Sequence, residues 1–215
     1  MILDGQSRLT YLIWATLLVA LAAAILLGRW SLGFVALATL VASMVPLLVA
    51  RRFNVYVPLP FLSAIVLFIF ASLFLGEAFD FYERYWWWDV LLHGGAAVGF
   101  GLVGFVFVFF LFEGDRYAAP AWAVAFVSFC FAVAVGTGWE LFEYTMDIVF
   151  GLTMQKSGLD DTMLDLVADG IGAFFGAAAG FGYMKGRETG GLPRLIGEFV
   201  RKNRSGFKKS GRKGP

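Results

Sequence analysis

The sequence predicts an all-α membrane protein, a polytopic bundle of about six transmembrane helices with both termini on the cytoplasmic side. Three observations carry that expectation. Over 215 residues the chain is 60% apolar and only 15% charged, whereas a soluble domain carries about 25% charged residues. Apolar runs of spanning length, roughly 17 to 25 residues, recur between short polar breaks. Lysine and arginine are also unevenly divided among the connections. Fourteen of them (Arg8, Arg51, Arg52, Arg116 and the ten from Lys185 onward) fall on one side, and three (Arg29, Arg84 and Lys156) on the other. Positive charge is retained in the cytoplasm, so the richer side faces inward.

The first run, Tyr11 to Leu27, follows Arg8 and contains Ala22, Ala23 and Ala24, as a secretory signal does. It is long for the apolar part of a signal and the next run follows at once, so a retained anchor is expected. The second and third runs are Ser31 to Ala50 and Pro58 to Leu75. Tyr82, Tyr85, Trp86, Trp87 and Trp88 then stand before the fourth, where amphipathic rings suit the headgroup layer. The fourth run is Asp89 to Phe112 and the fifth Ala118 to Phe150, which is too long for one span and is expected to project or to bend near Gly136 and Gly138. The sixth, Asp161 to Met184, completes a bundle over residues 1–184. A β-barrel would need many segments of about ten residues with alternating polarity, and these runs are longer and apolar all round. Cys130 is the single cysteine, so an intrachain disulfide is excluded.

Residues 185–215 read as a cytoplasmic basic tail. Leu192, Leu195, Ile196, Phe199 and Val200 recur at helical spacing beside Arg194, Glu198 and Arg201, an amphipathic pattern suited to the inner leaflet. Lys202, Arg204, Lys208, Lys209, Arg212 and Lys213 follow among Gly and Ser. Such a tail enforces topology or meets anionic lipid headgroups; no nucleic-acid partner is expected.

The acidic residues are placed where they are costly. Asp89 and His93 open the fourth run, Glu140, Glu143 and Asp147 end the fifth, and Asp161, Asp165 and Asp169 open the sixth. All three stretches reach the outer side under a topology derived from Lys and Arg alone. Each set shares one helix face, because its members are three or four residues apart. The deepest members are then His93, Glu140 and Asp169, with Glu143 and Asp165 one turn shallower. A charge at mid-bilayer costs roughly 2.5 to 3.5 kcal/mol on insertion scales. The seven carboxylates must therefore line a watery pocket, share protons or bind cations. Oxygen ligands with one imidazole suit a hard or borderline divalent cation, Mg²⁺, Mn²⁺, Ca²⁺ or Zn²⁺. His93, Glu140 and Asp169 are the expected catalytic groups, with Glu143 and Asp165 joining them as metal ligands and Asp89, Asp147 and Asp161 in support. Asp147 and Asp161 equally suit helix caps or exposed loops. Gly172, Gly176 and Gly180 continue the sixth run at four-residue spacing, and small residues there let another helix approach closely.

These motifs carry a resemblance. Trp88-Asp89 followed by His93-Gly94, Trp139-Glu140 with Glu143, and Asp161-Thr162 leading to Asp165, Asp169, Gly170 and Gly172 resemble the uncharacterised inner-membrane family typified by the bacterial YjdF protein, and more distantly VanZ-like proteins. Glu143 stands where the VanZ-like pattern has Gln, and Asp169 where it has Asn, so this cluster is the more acidic. The resemblance implies a multi-pass inner-membrane protein without an established reaction, with VanZ-like members linked to glycopeptide-antibiotic tolerance. Intramembrane prenyltransferases and CDP-alcohol phosphotransferases also carry Asp at four-residue spacing. The chain lacks the Asp-x-x-Asp-Gly-x-x-Ala-Arg signature of the latter, and its cluster is expected on the opposite face.

Three functions fit this pattern. A cation-dependent enzyme acting on a lipid or lipid-linked envelope precursor at the outer leaflet is the leading expectation, with a cation lowering the pKa of bound water to about 7. A proton- or cation-coupled transporter would use the same acids as a relay. A non-catalytic membrane scaffold would use them only to fix helix packing.

Overall fold

Two small features set how the first helix begins and how the chain turns into the second. Ser7 accepts the backbone N–H of Thr10 at 3.1 Å and so caps helix α1 (Arg8–Leu26). At its other end Gly28 takes a left-handed φ of 67°. The Arg29 N–H then reaches the Ala24 carbonyl at 2.8 Å and the Gly28 N–H that of Ile25 at 3.2 Å. This Schellman closure satisfies the last carbonyls of α1 and reverses the chain within three residues, so that α2 (Trp30–Arg52) returns alongside α1.

The computed structural model describes residues 5–112, 119–188 and 190–208. The chain divides into two compact units, Met1–Trp88 and Asp89–Pro215. Among the described residues all regular structure is helical, and six helices are long and apolar enough to cross a membrane. Arg116 and the tail beyond Lys208, which enter the charge asymmetry, lie outside the described residues.

In the first unit, α1 and α2 pack with α3 (Leu59–Ile69), whose span continues to Glu77 in wider π-helical turns over Phe70–Glu77. Ile13, Trp14, Leu17, Ala36, Leu40, Leu47, Val66 and Phe74 form the core. The indole N–H of Trp14 is buried without penalty because it donates to Ser43 Oγ at 2.9 Å. Ser63 Oγ on α3 donates to Ser7 Oγ at 2.7 Å and ties α3 to the cap of α1. Tyr82 lies over Gly76, where a side chain would meet its ring, and its hydroxyl pairs with Ser72 at 2.9 Å. The short helix α4 (Phe81–Arg84) leads into the aromatic cluster, where Phe81 meets Tyr85 and Trp88 edge-on at 5.0 and 4.9 Å.

The second unit contains α5 (Trp88–Leu111) from Asp89 onward, α6 (Ala121–Phe150), α7 (Leu159–Met184) and α8 (Gly191–Lys208). Helix α6 runs unbroken through Gly136 and Gly138 over 30 residues. At 1.5 Å per residue it is about 45 Å long, more than a hydrocarbon core of about 30 Å. The glycines of α7 meet protein. Gly172 closes on the Gly94 carbonyl of α5, Gly176 faces Gly101, and Gly180 lies under the Phe105 ring. Ser128 of α6 donates to the Gly101 carbonyl at 2.6 Å, which adds α6 to the same contact. Helix α8 buries Ile196 and Val200, and it leaves Arg194, Arg201, Lys202 and Arg204 exposed. Phe199 lies 6.3 Å from the Phe110 ring and Arg201 pairs with Glu188 at 2.9 Å. The apolar side of this segment is thus held at least partly by protein.

Candidate functional site

His93 stands in the second turn of α5, four residues after Asp89 and on the same face. Close approach of α7 through its glycines brings Asp165 and Asp169 to that face, and α6 contributes Glu140. Around the ring, Nε2 lies 3.8 Å from Asp89 Oδ1, while Nδ1 lies 3.5 Å from Asp169 Oδ1 and 3.7 Å from Glu140 Oε1. Ligand atoms of Asp89, His93 and Asp165 all lie within 4.8 Å of one another. The imidazole is therefore a hub, with Asp89 and Asp165 in one compact group and Asp169 and Glu140 at Nδ1.

Burial deepens sharply within this cluster. Asp165, Asp169 and Glu140 are 1%, 2% and 4% exposed, and the Asp89 side chain 19%. Both oxygens of Glu140, Oδ1 of Asp165 and Oδ2 of Asp169 are buried without a hydrogen-bond partner among the described residues. A buried polar group without a partner costs about 1 to 3 kcal/mol, and more if charged. Water, shared protons or a cation would satisfy four such atoms around one imidazole.

The remaining acids from the sequence pattern have other partners. Glu143 accepts from the indole N–H of Trp139, one turn away on α6, at 2.9 Å. Asp147 accepts the backbone N–H groups of Met154 and Gln155 at 2.7 and 2.9 Å, and Asp161 accepts that of Lys156 at 3.1 Å. These two carboxylates hold the α6–α7 connection rather than entering the ring around His93.

Two contributors escaped the sequence reading. A Cβ on Gly136 would collide with the carboxylate of Asp169, so this glycine makes the space that Asp169 occupies. Its signal was its position four residues before Glu140, on the same face. Lys156 places Nζ 3.7 Å from Asp89 Oδ2. No spacing rule reaches it, because a loop rather than a helix delivers it.

Six apolar spans and a buried polar cluster define a multi-pass membrane protein. The chain belongs to the family described as "Predicted membrane protein (DUF2238)", which it matches over residues 8–186. The YjdF-type resemblance fits that family. An uncharacterised protein of Thermotoga maritima is 30% identical over 106 residues, covering 49% of this chain and 54% of that protein. The match thus spans about half the length of the relative. No solved structure matches.

Proposed function

We propose that the cluster holds one divalent cation and that the protein is a cation-dependent enzyme of the inner cell membrane, acting on a lipid or lipid-linked envelope precursor at the outer leaflet. The observation that carries the reading is the set of unpartnered oxygens on Glu140, Asp165 and Asp169, all nine-tenths buried or more, around His93. Asp89, His93 and Asp165 are the nucleus of the cation site, since their ligand atoms are mutually close. Asp89 then ligates, beyond the orienting role its spacing suggests. Asp169, the nearer acid to Nδ1 at 3.5 Å, would orient the ring and favour Nε2 as the ligand atom for a cation. Glu140 would hold or accept a proton on the Nδ1 side of the ring, and a cation in the group would supply bound water of lowered pKa. Mg²⁺, Mn²⁺ and Zn²⁺ suit this mixture of carboxylate and imidazole.

The outer placement rests on the Lys and Arg asymmetry, and the distant VanZ-like resemblance supports an envelope role. The exposed basic side of α8 suits anionic headgroups on the inner leaflet. Transport is the weaker reading because the α5–α7 contact below the cluster is closed. Gly101 meets Gly176 backbone to backbone there, and the Phe105 ring covers Gly180.

The test is thermal unfolding of detergent-purified protein with Mg²⁺, Mn²⁺ or Zn²⁺. A cation that binds the native state adds about 2.7 kcal/mol at a hundredfold excess over Kd. Asp165→Asn should abolish the shift, and Asp169→Asn should weaken affinity by roughly 10- to 100-fold as an orienting partner. A wild type indifferent to all three cations, or an Asp165→Asn variant that keeps the full shift, would remove the cation reading and favour proton sharing.

A further inference from the structure

A cavity of about 330 Å³ lies in the first unit, where α1 begins, α2 ends and α3 begins. It is lined by residues of that unit alone, whereas the acidic cluster belongs to the second. Spanning helices end around it, so it sits at headgroup depth. The turn after α2 builds its wall. Asn54 takes a left-handed φ of 50°, the Val55 N–H returns to the Ala50 carbonyl at 2.8 Å and the Asn54 N–H to that of Arg51 at 3.1 Å. This closes α2 by the same device that closes α1, and the chain passes on to Pro58 at the start of α3.

The lining is of two kinds. Leu47, Val57 and Leu62 are apolar, and Leu47 lies one turn, about 6 Å, inside Arg51 on α2. Gln6, Arg51 and Tyr56 are polar. Arg51 brings five N–H donors and Tyr56 a hydroxyl, and no carboxylate lines the cavity among the described residues. Gln6 brings an acceptor, because its side-chain Oε1 is buried without a hydrogen-bond partner among the described residues. Water can donate to such an oxygen. What selects a lipid is the combination of that acceptor with a cationic side chain and an apolar floor at headgroup depth. Arg8, Arg51 and Arg52, all exposed, stand at these same helix ends, and the positive charge there is the mark of the cytoplasmic side. Basic pockets between spanning helices on that side suit anionic headgroups. The matching occupant is anionic, carries a donor of its own for Gln6 and follows its headgroup with acyl chain. A cavity of this size takes a headgroup rather than a whole lipid.

We propose that this cavity binds the headgroup of one phosphatidylglycerol molecule of the inner leaflet, with the phosphodiester at Arg51 and Tyr56 and a glycerol hydroxyl donating to Gln6 Oε1. Phosphatidylcholine has the phosphodiester but no N–H or O–H to donate. Phosphatidylethanolamine has donors, but its ammonium brings positive charge to a lining that already carries Arg51 and no carboxylate. The site stands apart from the cation reading and does not depend on it.

Full-length protein in nonionic detergent is titrated with dioleoyl phosphatidylglycerol, phosphatidylethanolamine or phosphatidylcholine. Retained lipid is counted by native mass spectrometry, and Tm is read on the same samples. The expected result is one phosphatidylglycerol, held about tenfold more tightly than phosphatidylcholine and more tightly than phosphatidylethanolamine. Gln6→Leu weakens it about fivefold and Arg51→Gln about tenfold, and Gln6→Leu leaves phosphatidylcholine binding as it was. Arg194→Gln combined with Arg204→Gln, on the exposed side of α8, changes nothing. Equal retention of all three lipids, a preference for phosphatidylethanolamine, or wild-type affinity in both Gln6→Leu and Arg51→Gln overturns the proposal. So does equal weakening of phosphatidylglycerol and phosphatidylcholine by Gln6→Leu, which makes Gln6 a structural residue, or loss confined to the α8 variant, which moves the lipid to that helix. A wild type that retains no phosphatidylglycerol leaves a hydrated cavity and overturns it as well.

Discussion

Gly176→Ala is the smallest change that tests how the site is assembled. A Cβ there would lie 2.6 Å from the Val98 carbonyl oxygen and 2.9 Å from Gly101 Cα. Both neighbours are backbone, so no rotamer change relieves the contact. To reach ordinary separation, α7 must retreat from α5 by about 0.5 to 0.8 Å at this turn. Overpacking of this kind costs about 1 to 3 kcal/mol, or a fall of roughly 2 to 12 °C in Tm for a chain of this size. The retreat also carries Asp165 and Asp169 away from His93, so affinity for any cation falls with stability. Gly170→Ala is the control on the same helix, because nothing lies within 4 Å of its Cβ. Replacing that helical glycine is expected to be neutral or to stabilise by about 0.5 to 1 kcal/mol. Thermal unfolding in detergent, followed by intrinsic tryptophan fluorescence, reads both. If Gly176→Ala melts at or above Gly170→Ala, the α5–α7 backbone contact does not set the position of α7, and the argument fails.

Two further outcomes are expected. Gly136→Ala should displace the Asp169 carboxylate without removing any polar group, and so lose most of the cation-dependent thermal shift while still inserting; a full shift would mean that the Asp169 position is not needed. Reporter fusions after Ala50, Gly114 and Met184 should behave as cytoplasmic and those near Trp86 and Ser157 as exported; the opposite pattern would move the cluster to the inner face and end the outer-leaflet reading.

Most of the bundle was legible in the sequence because hydropathy and length act locally. The six apolar runs fall on the six spanning helices, with ends displaced by a few residues. The longest run became the longest helix, whose excess length is carried without a break at Gly136 and Gly138. Helical spacing also put the acids on shared faces, and His93, Asp89, Glu140, Asp165 and Asp169 do converge.

What spacing could not decide was which acids meet the imidazole. Glu143 is three residues from Glu140 but turns to Trp139, and Asp147 and Asp161 turn to loop backbone. Periodicity specifies a direction around one helix axis, whereas a contact also needs the distance and rotation of the neighbouring helix. Those were set by Gly172 and Gly176 against α5, and by Gly136 opening room for Asp169. Lys156 was beyond any such rule, since a loop has no period to carry its direction. By itself, then, the sequence determined an all-helical multi-pass protein with one acidic, histidine-centred face, through apolar length and the high cost of charge in hydrocarbon. Only the tertiary structure decided which carboxylates surround His93 and that the Lys156 ammonium stands beside Asp89, because those depend on close backbone approach between segments far apart in the chain.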